Sequence, residues 1–407
     1  MPKRFFVTIW DKTKYELPVF LLLCVQLATQ RTDVNYDAYR GLLVLDYGDA
    51  GFAPRLFIGS ILSLFMKNKS AQNLNAFLLA LYIAVFVLVS LIAGALVRKT
   101  DGETQKMTVF LLALFFASPF SVAVFLPRFF SLDRLQALFA LFAMLLVNKR
   151  GFRWLVPAVL FMALATHHSF GFMFMPAVAI AVLYETGKSG FKKDAVLFGA
   201  ACFLTMAAVS AYFYLYDGSG TFADIDEMNR VILSKSDIKN TNESIIQGYF
   251  LMSPAQLLES TKAYYLNRKM LTRELWENLR AGVYLLPAAA VFYAIWVAAL
   301  KEEKEKFGRF ILWLCTLAPL ARLPLIILST DSFRGRSGWV FVQFCLLFYF
   351  IIHRHPAVSR AAEKVWAFFA RQPVFAVLIV SFYASLFAAY PVKPGLRTLF
   401  KELYWLP

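Results

Sequence analysis

Long apolar segments separated by short polar stretches recur along all 407 residues of the chain. Several approach the length of about 20 residues that a helix needs to cross a bilayer. Only 17% of the residues are charged, against roughly 25% in soluble domains. Because backbone polar groups in lipid must be satisfied within the spanning segment, such segments favour helices. The sequence therefore predicts an all-α polytopic membrane protein, with residues 1–407 forming a single transmembrane domain.

About 11 transmembrane helices are predicted, some of them shorter than a full span. The apolar run at 17–28 is interpreted as a retained first helix, because it has no small-residue cleavage site and continues into an acidic loop. The predicted spans are 16–29, 74–97, 107–126, 135–147, 154–168, 170–185, 195–216, 281–300, 310–328, 339–352 and 373–390.

The distribution of Lys and Arg predicts the orientation of these spans. If the basic N-terminus is cytoplasmic, every second connecting segment is cytoplasmic too, and these segments carry the larger excess of Lys and Arg. Positive residues concentrate in cytoplasmic loops, so we expect a cytoplasmic N-terminus and an extracytoplasmic C-terminus in a plasma membrane, such as a bacterial inner membrane. The same loops account for the net charge of +16, and no nucleic-acid partner is expected. The segments assigned to the cytoplasm are 98–106, 148–153, 186–194, 301–309 and 353–372.

Residues 30–70 form the first predicted outer loop, which joins acidic residues to a short apolar run. Asp33, Asp37, Asp46 and Asp49 precede Arg55 and the run 56–66. As a helix this run would be roughly 16 Å long, about half a bilayer, which favours a helix in the membrane interface. Grouped carboxylates can hold a divalent metal such as Mg²⁺ or Mn²⁺, or one can act as a general base. A solvated linker is the alternative.

Ionisable residues also precede the short fourth span. The sequence "PRFFSLDR" contains Arg128, Asp133 and Arg134, and the span after it must begin below the lipid surface in order to cross. Ionisable groups at that depth often mark a substrate path, and an arginine fork matches phosphate oxygens. An internal ion pair, or arginines that extend to the lipid headgroups, is the alternative.

Two more outer loops carry candidate residues. His167 and His168 in "THHSFG" suit proton transfer, metal ligation or phosphate binding, or else one caps a helix and one is buried and hydrogen-bonded. Asp331, Arg334 and Arg336 in "TDSFRGRSG" stand beside glycines that let the backbone approach a polyanion such as a diphosphate, or else form a charged turn.

The segment 217–280 is the only sizeable polar insert, and it is predicted to be extracytoplasmic and helical. The run from Ser253 to Leu279 has mixed charges and several aromatic residues. It is interpreted as a lid or an acceptor-docking element. Amphipathic helices that rest on the membrane are the alternative.

An acidic first outer loop with a juxtamembrane helix, later outer loops with arginines and histidines, and short spans together resemble the GT-C glycosyltransferases, including bacterial polysaccharide-assembly members. The resemblance covers the whole architecture, although "DYGD" differs from the family's Asp-x-Asp or Asp-Glu pair and no large soluble C-terminal domain follows. It implies transfer of a sugar from a polyprenyl-phosphate-linked donor to an extracytoplasmic glycan or glycolipid acceptor, at a site in contact with membrane lipids.

The resemblance also assigns roles by position. Asp46 or Asp49 would be catalytic or would contact a metal, with Asp37 and Asp33 as fallbacks. His167 and His168 would support the acidic residues or the phosphate-binding ones. The groups that would hold the lipid phosphate are Arg128, Arg134, Arg334 and Arg336.

Three other functions compete with this interpretation. A repeat-unit polymerase or ligase of the same superfold is consistent with the insert at 217–280. A transporter or flippase for lipid-linked sugars would need polar groups reachable from both faces, whereas the cytoplasmic half of the predicted spans is nearly free of ionisable residues. A membrane acyltransferase that uses a histidine rests on "HHS" alone.

Overall fold

The computed structural model describes residues 13–29, 37–122, 125, 132–238, 250–322 and 332–389. Every regular element in this part of the chain is helical, which confirms the all-α prediction, and a helix overlaps each of the eleven predicted spans. The helices are α1 Glu16–Thr29, α2 Asp37–Val44, α3 Tyr47–Ala50, α4 Phe57–Phe65, α5 Ala71–Arg98, α6 Gly102–Ala117, α7 Pro119–Val122, α8 Asp133–Val147, α9 Val156–Thr166, α10 Phe170–Met173, α11 Met175–Lys188, α12 Lys193–Tyr214, α13 Ile225–Lys235, α14 Pro254–Leu266, α15 Arg268–Glu302, α16 Lys306–Leu317, α17 Ser332–Ile352, α18 Pro356–Arg371 and α19 Pro373–Ala389.

Fewer helices satisfy a strict test of length and apolarity for crossing a membrane. Within the described residues, Ala71–Arg98, Lys193–Tyr214 and Gly282–Glu302 satisfy it. A fourth span is reached if Arg336–Ile352 and Pro356–Arg371, which bend by 110° at their junction, are counted as one. Glu16–Gln26, Arg153–Thr166 and Pro373–Leu386 are apolar but shorter. Several apolar helices are thus able to span a membrane, and the count of eleven remains a prediction.

The buried apolar side chains form two separate cores. The larger core lies inside the helix bundle, around residues such as Trp296, Phe86 and Phe174. The smaller core joins α2 and α4 of the first predicted outer loop to residues of the insert, including Phe222, Ile232 and Phe250. We call this second unit, formed by the described parts of 37–70 and 216–251, the cap. Because both segments contribute to one core, the first loop and the insert fold together.

Polar contacts divide the connecting segments into two groups. At one end, Asn148 contacts His353, Arg153 pairs with Asp194, and Arg354 pairs with Asp101. At the other end, the residues around Asp46 contact the insert and the end of α12. We call these the His353 end and the Asp46 end. The connecting segments in the first group are all predicted to be cytoplasmic, and those in the second are all predicted to be outside. The end of α12, which joins the second group, belongs to the predicted span 195–216.

Two elements differ from the sequence-based expectation. The insert's second helix does not stop before the predicted span at 281–300 but continues into it, so that α15 has 35 residues. At 1.5 Å per residue it is about 52 Å long, well beyond the roughly 30 Å of a hydrocarbon core. The segment 353–372, expected only as a loop, contains the helix α18, which buries Ala357, Val358, Ala361 and Ala362 along one face. This helical spacing explains why it packs against α15 and α6.

Candidate functional site at the Asp46 end

Asp46 and Asp49 cap the one-turn helix α3. The side chain of Asp46 accepts a hydrogen bond from the Gly48 N–H at 2.9 Å, and the Asp46 N–H donates to Asp49 Oδ2 at 2.9 Å. Reciprocal bonds of this kind satisfy backbone donors that a helix start leaves open. Ser63 Oγ of α4 also donates to Asp46 Oδ2 at 2.6 Å. The short interfacial run predicted at 56–66 is therefore a helix that holds the acidic pair.

Two lysines that the sequence analysis did not single out balance the two carboxylates. Lys235 Nζ, at the end of α13 in the insert, lies 2.9 Å from Asp46 Oδ2 and 2.6 Å from Asp49 Oδ1. Lys69 Nζ lies 3.7 Å from Asp46 Oδ2 and donates to the carbonyl oxygens of Val44 and Gly59. The side chain of Lys69 is only 3% exposed. The pair is thus part of a closed four-charge network.

The surroundings of Asp46 decide its acid–base behaviour. Burial alone would raise the pKa of its carboxyl group, but hydrogen bonds from Ser63 and Lys235, together with the charge of Lys235, lower the pKa to about 2. A carboxylate with so low a pKa is a weak base at neutral pH. The geometry therefore suits Asp46 to a positioning role better than to the role of general base.

The last turn of α12 connects the acidic loop to the histidine turn. Tyr212 donates to the carbonyl oxygen of Phe52 at 3.1 Å, and Tyr216 contacts that of Ala50 at 3.4 Å. Tyr214, between them, donates to the carbonyl oxygen of His168 at 2.8 Å. Tyr212 and Tyr214 in the last turn of α12, with Tyr216 just beyond it, thus place the acidic pair and the histidines at the same end of the bundle.

The histidine turn is largely buried within the protein. His167 is buried at the end of α9, and its Nδ1 accepts a hydrogen bond from the Ser169 N–H at 3.1 Å. This bond leaves the ring proton of neutral His167 on Nε2. The Gln136 side chain of α8 donates to the carbonyl oxygen of His167. The His168 ring lies 5.1 Å from that of His167 and edge-on to Tyr214.

Asp133 and Arg134 begin α8 inside the protein. The start of this helix below the lipid surface stays a prediction. Both residues are buried, and Arg134 is fully so. The guanidinium carbon of Arg134 lies 3.6 Å from the centre of the Tyr82 ring, a cation–π geometry. Arg134 thus stacks on an aromatic face of α5, which gives it a structural partner besides any ligand.

The remaining arginines occupy separate positions at this end. Arg55, between α3 and α4, is buried and has a φ of 70°, an uncommon backbone conformation for a non-glycine residue. Arg336, near the start of α17, is also buried. The sequence analysis did not select Arg322, because this residue lies inside a predicted apolar span. A lone arginine in such a span is itself a sign of a functional site. Its guanidinium donates to the carbonyl oxygen of Met173 at 2.9 Å and lies against Gly338.

Several predicted site residues cannot be placed in this geometry. Asp37 and Arg334 lie within α2 and α17, but their side chains are not among those described. The predicted residues outside the described part of the chain are Asp33, Arg128 and Asp331.

The acidic pair fits a divalent metal poorly in this conformation. The charges of Asp46 and Asp49 are already matched by Lys69 and Lys235, and a cation there would meet two ammonium groups. In the described ranges, no three His, Cys, Asp or Glu residues form a group that could hold a metal ion.

Comparison with known proteins gives no relative: no family model, curated protein or solved structure matches this chain.

Proposed function

We propose that this chain is a membrane glycosyltransferase that moves a sugar from a polyprenyl-phosphate-linked donor to an extracytoplasmic glycan or glycolipid acceptor. One observation carries the proposal. The acidic pair, two lysines and the buried histidine turn lie at a single end of an apolar helix bundle, joined by the tyrosines of α12. Several ionisable groups at this end, among them Lys69, Arg134 and His167, are buried. Burial of such groups is costly and favours a site for a charged, lipid-borne substrate.

The reaction needs a proton acceptor and a cation. A bond forms between C1 of the sugar and the acceptor oxygen, the bond between C1 and the phosphate oxygen breaks, and the acceptor hydroxyl loses its proton. Asp49 is our candidate base, since Asp46 is held as a weak one. The ammonium group of Lys235, which is the more exposed of the two lysines, can stabilise the negative charge that develops on the departing phosphate.

Activity would require Lys235 to move away from Asp49. In the closed network, Asp49 Oδ1 contacts Lys235 and Asp49 Oδ2 accepts from the Asp46 N–H. Lys235 belongs to the insert, and its side chain is 30% exposed, against 3% for Lys69. An incoming donor phosphate can therefore draw Lys235 from the carboxylates to itself, which frees one oxygen of Asp49 for the acceptor hydroxyl.

The test is sugar transfer from a panel of radiolabelled polyprenyl-monophosphate sugars by the purified chain in proteoliposomes, with extracted membrane glycolipids as acceptors. We expect transfer from at least one donor and a loss of about 10²–10⁴-fold in Asp49→Asn, as is typical for removal of a general base. Asp217→Asn, at an exposed acid of the same insert, serves as the matched control and should keep full activity. No transfer from any donor, or full activity in Asp49→Asn, would refute the proposal.

The flippase alternative gives a different result in the same vesicles. A flippase moves the intact donor between leaflets without breaking the bond between sugar and phosphate. Donor that changes leaflet while this bond stays intact, together with no transferred sugar, would replace our proposal with the transporter function.

A further inference from the structure

An elongated apolar cavity lies within the helix bundle, apart from the site at the Asp46 end. It runs between α5, α6, α8 and α17 and holds about 870 Å³ of space, counting its open mouth. Its walls are almost entirely apolar and include Ala93, Leu112, Phe115, Met144 and Phe344.

The polar residues of the cavity gather at the His353 end. Lys99 follows α5, Asn148 and Lys149 follow α8, and His353 follows α17. Both lysine side chains are exposed, whereas the apolar walls are mostly buried. None of the described residues that line the cavity is acidic. The mouth of an apolar slot is therefore positively charged.

Neighbouring charges reduce this positive character. Helix carboxyl termini are partly negative, by about half a charge each, and those of α5, α8 and α17 meet here, so together they offset part of the charge of Lys99, Lys149 and the nearby Lys188. Asp101 is paired with Arg354, whereas Glu185 keeps its negative charge while it accepts a hydrogen bond from Tyr349 of the cavity wall. Burial first, and then repulsion from Lys188, Lys99 and Lys149, lowers the pKa of His353 to about 4. The surroundings thus disfavour a further positive charge.

We propose that this cavity binds one anionic phospholipid, with an acyl chain in the slot and the phosphate between Lys99 and Lys149. A soluble anion would gain nothing from contact with the apolar walls. A zwitterionic lipid carries its own cation beside the phosphate, and this cation would face the two lysines. An anionic lipid matches both the walls and the mouth. This site is separate from the proposed donor site, so neither proposal depends on the other.

The test is native mass spectrometry of the full chain after delipidation, with phosphatidylglycerol and phosphatidylcholine of identical acyl chains added back. We expect one phosphatidylglycerol to be retained under conditions that remove phosphatidylcholine. Lysines near a lipid surface contribute roughly 1 kcal/mol each, so Lys99→Gln with Lys149→Gln should weaken this binding by roughly 10- to 30-fold. The matched control is Lys304→Gln with Lys306→Gln, which removes the same charge from exposed positions at the same end.

Variants that fill the cavity test the contribution of its apolar walls separately from that of the two lysines. Ala93→Leu and Cys345→Phe each place side-chain atoms in the cavity and leave the lysines unchanged. Either variant, if monodisperse, should lose the retained phosphatidylglycerol, so the test does not depend on the folding of one substitution. Equal retention of both lipids, wild-type retention in the double lysine variant, or an equal loss in the control variant would overturn the proposal.

Discussion

The charge state of the Asp46 carboxylate depends on the hydrogen bonds that its neighbours donate to it. It accepts from Ser63, from the Gly48 N–H and from Lys235, and each of these stabilises the charged carboxylate. Its position in "DYGD" is that of a candidate catalytic acid, whereas its contacts are those of a helix cap and an ion-pair partner. The same residue type therefore takes a different role once its partners are known.

The depressed pKa predicts a pH-dependent contribution of Asp46 to stability. Because the pKa in the folded chain, about 2, is below the ordinary value of 3.8, the contribution is fully present above about pH 4 and is lost as pH falls through about 2. Asp46→Asn should therefore lower the midpoint of thermal unfolding at pH 6, and the difference from wild type should shrink between pH 4 and 2. Thermal scans in one detergent check this. A difference independent of pH would show that the carboxylate's charge is not responsible.

At the scale of single elements, the cap depends on a close crossing of α2 and α4. A Cβ atom added to Gly59 of α4 would overlap the carbonyl oxygen of Leu45, just after α2, and crowd those of Leu42 and Leu43. Glycine is required here because backbone, rather than a flexible side chain, occupies the space. The fixed approach also places Ser63 within reach of Asp46.

Gly59→Ala should accordingly destabilise the cap, by about 1–3 kcal/mol as is usual for overpacking. Gly282→Ala is the matched control, since Gly282 is also helical but has open space around its Cα. The control should be neutral or stabilising by up to about 1 kcal/mol, the intrinsic preference of helices for alanine. Unfolding midpoints of the two variants give the comparison. Equal effects at both positions would contradict the close crossing.

The helix α13 is joined to the first loop by charge as well as by apolar contacts. Met228 and Ile232 enter the cap core, and Lys235 contacts both acidic residues. Lys235→Met removes the charge and leaves two carboxylates facing each other. We expect faster amide hydrogen exchange in residues 225–235, measured by mass spectrometry. Lys262→Met, at an exposed lysine paired within its own helix, should not change it. Unchanged exchange in the Lys235 variant would mean that the apolar core alone holds α13.

At the scale of the whole molecule, polar contacts group the connecting segments at two ends of the bundle. The orientation of these ends in the membrane is predicted from the distribution of Lys and Arg. We expect the His353 end to be cytoplasmic, because it contains the segments with the larger excess of Lys and Arg. Lys149→Cys and Ser219→Cys, each in a chain without its four native cysteines, place one exposed thiol at either end. A membrane-impermeant thiol reagent applied to intact cells should label Cys at 219 alone. Labelling at 149 alone would reverse the orientation, and labelling at both would break the grouping.

Local pattern in the sequence was enough to locate the apolar helices and the short helix at 56–66. These features follow from runs of neighbouring residues, because a helix is stabilised by contacts within a few positions. The sequence analysis missed that α15 continues from the insert into a span, although the lack of a proline or glycine between 268 and 281 was a local signal for it.

Only the tertiary structure decided the chemistry of the acidic pair. Lys235 reaches Asp46 across 189 positions of sequence, and Tyr214 reaches His168 across 46. No local pattern encodes such pairs, because they depend on the packing of the insert against the first loop. The pKa of Asp46, the partner of Arg134 and the charged mouth of the apolar cavity all arise in this way. Residue types are read from the chain, but an ionisable group takes its properties from the neighbours that folding places around it.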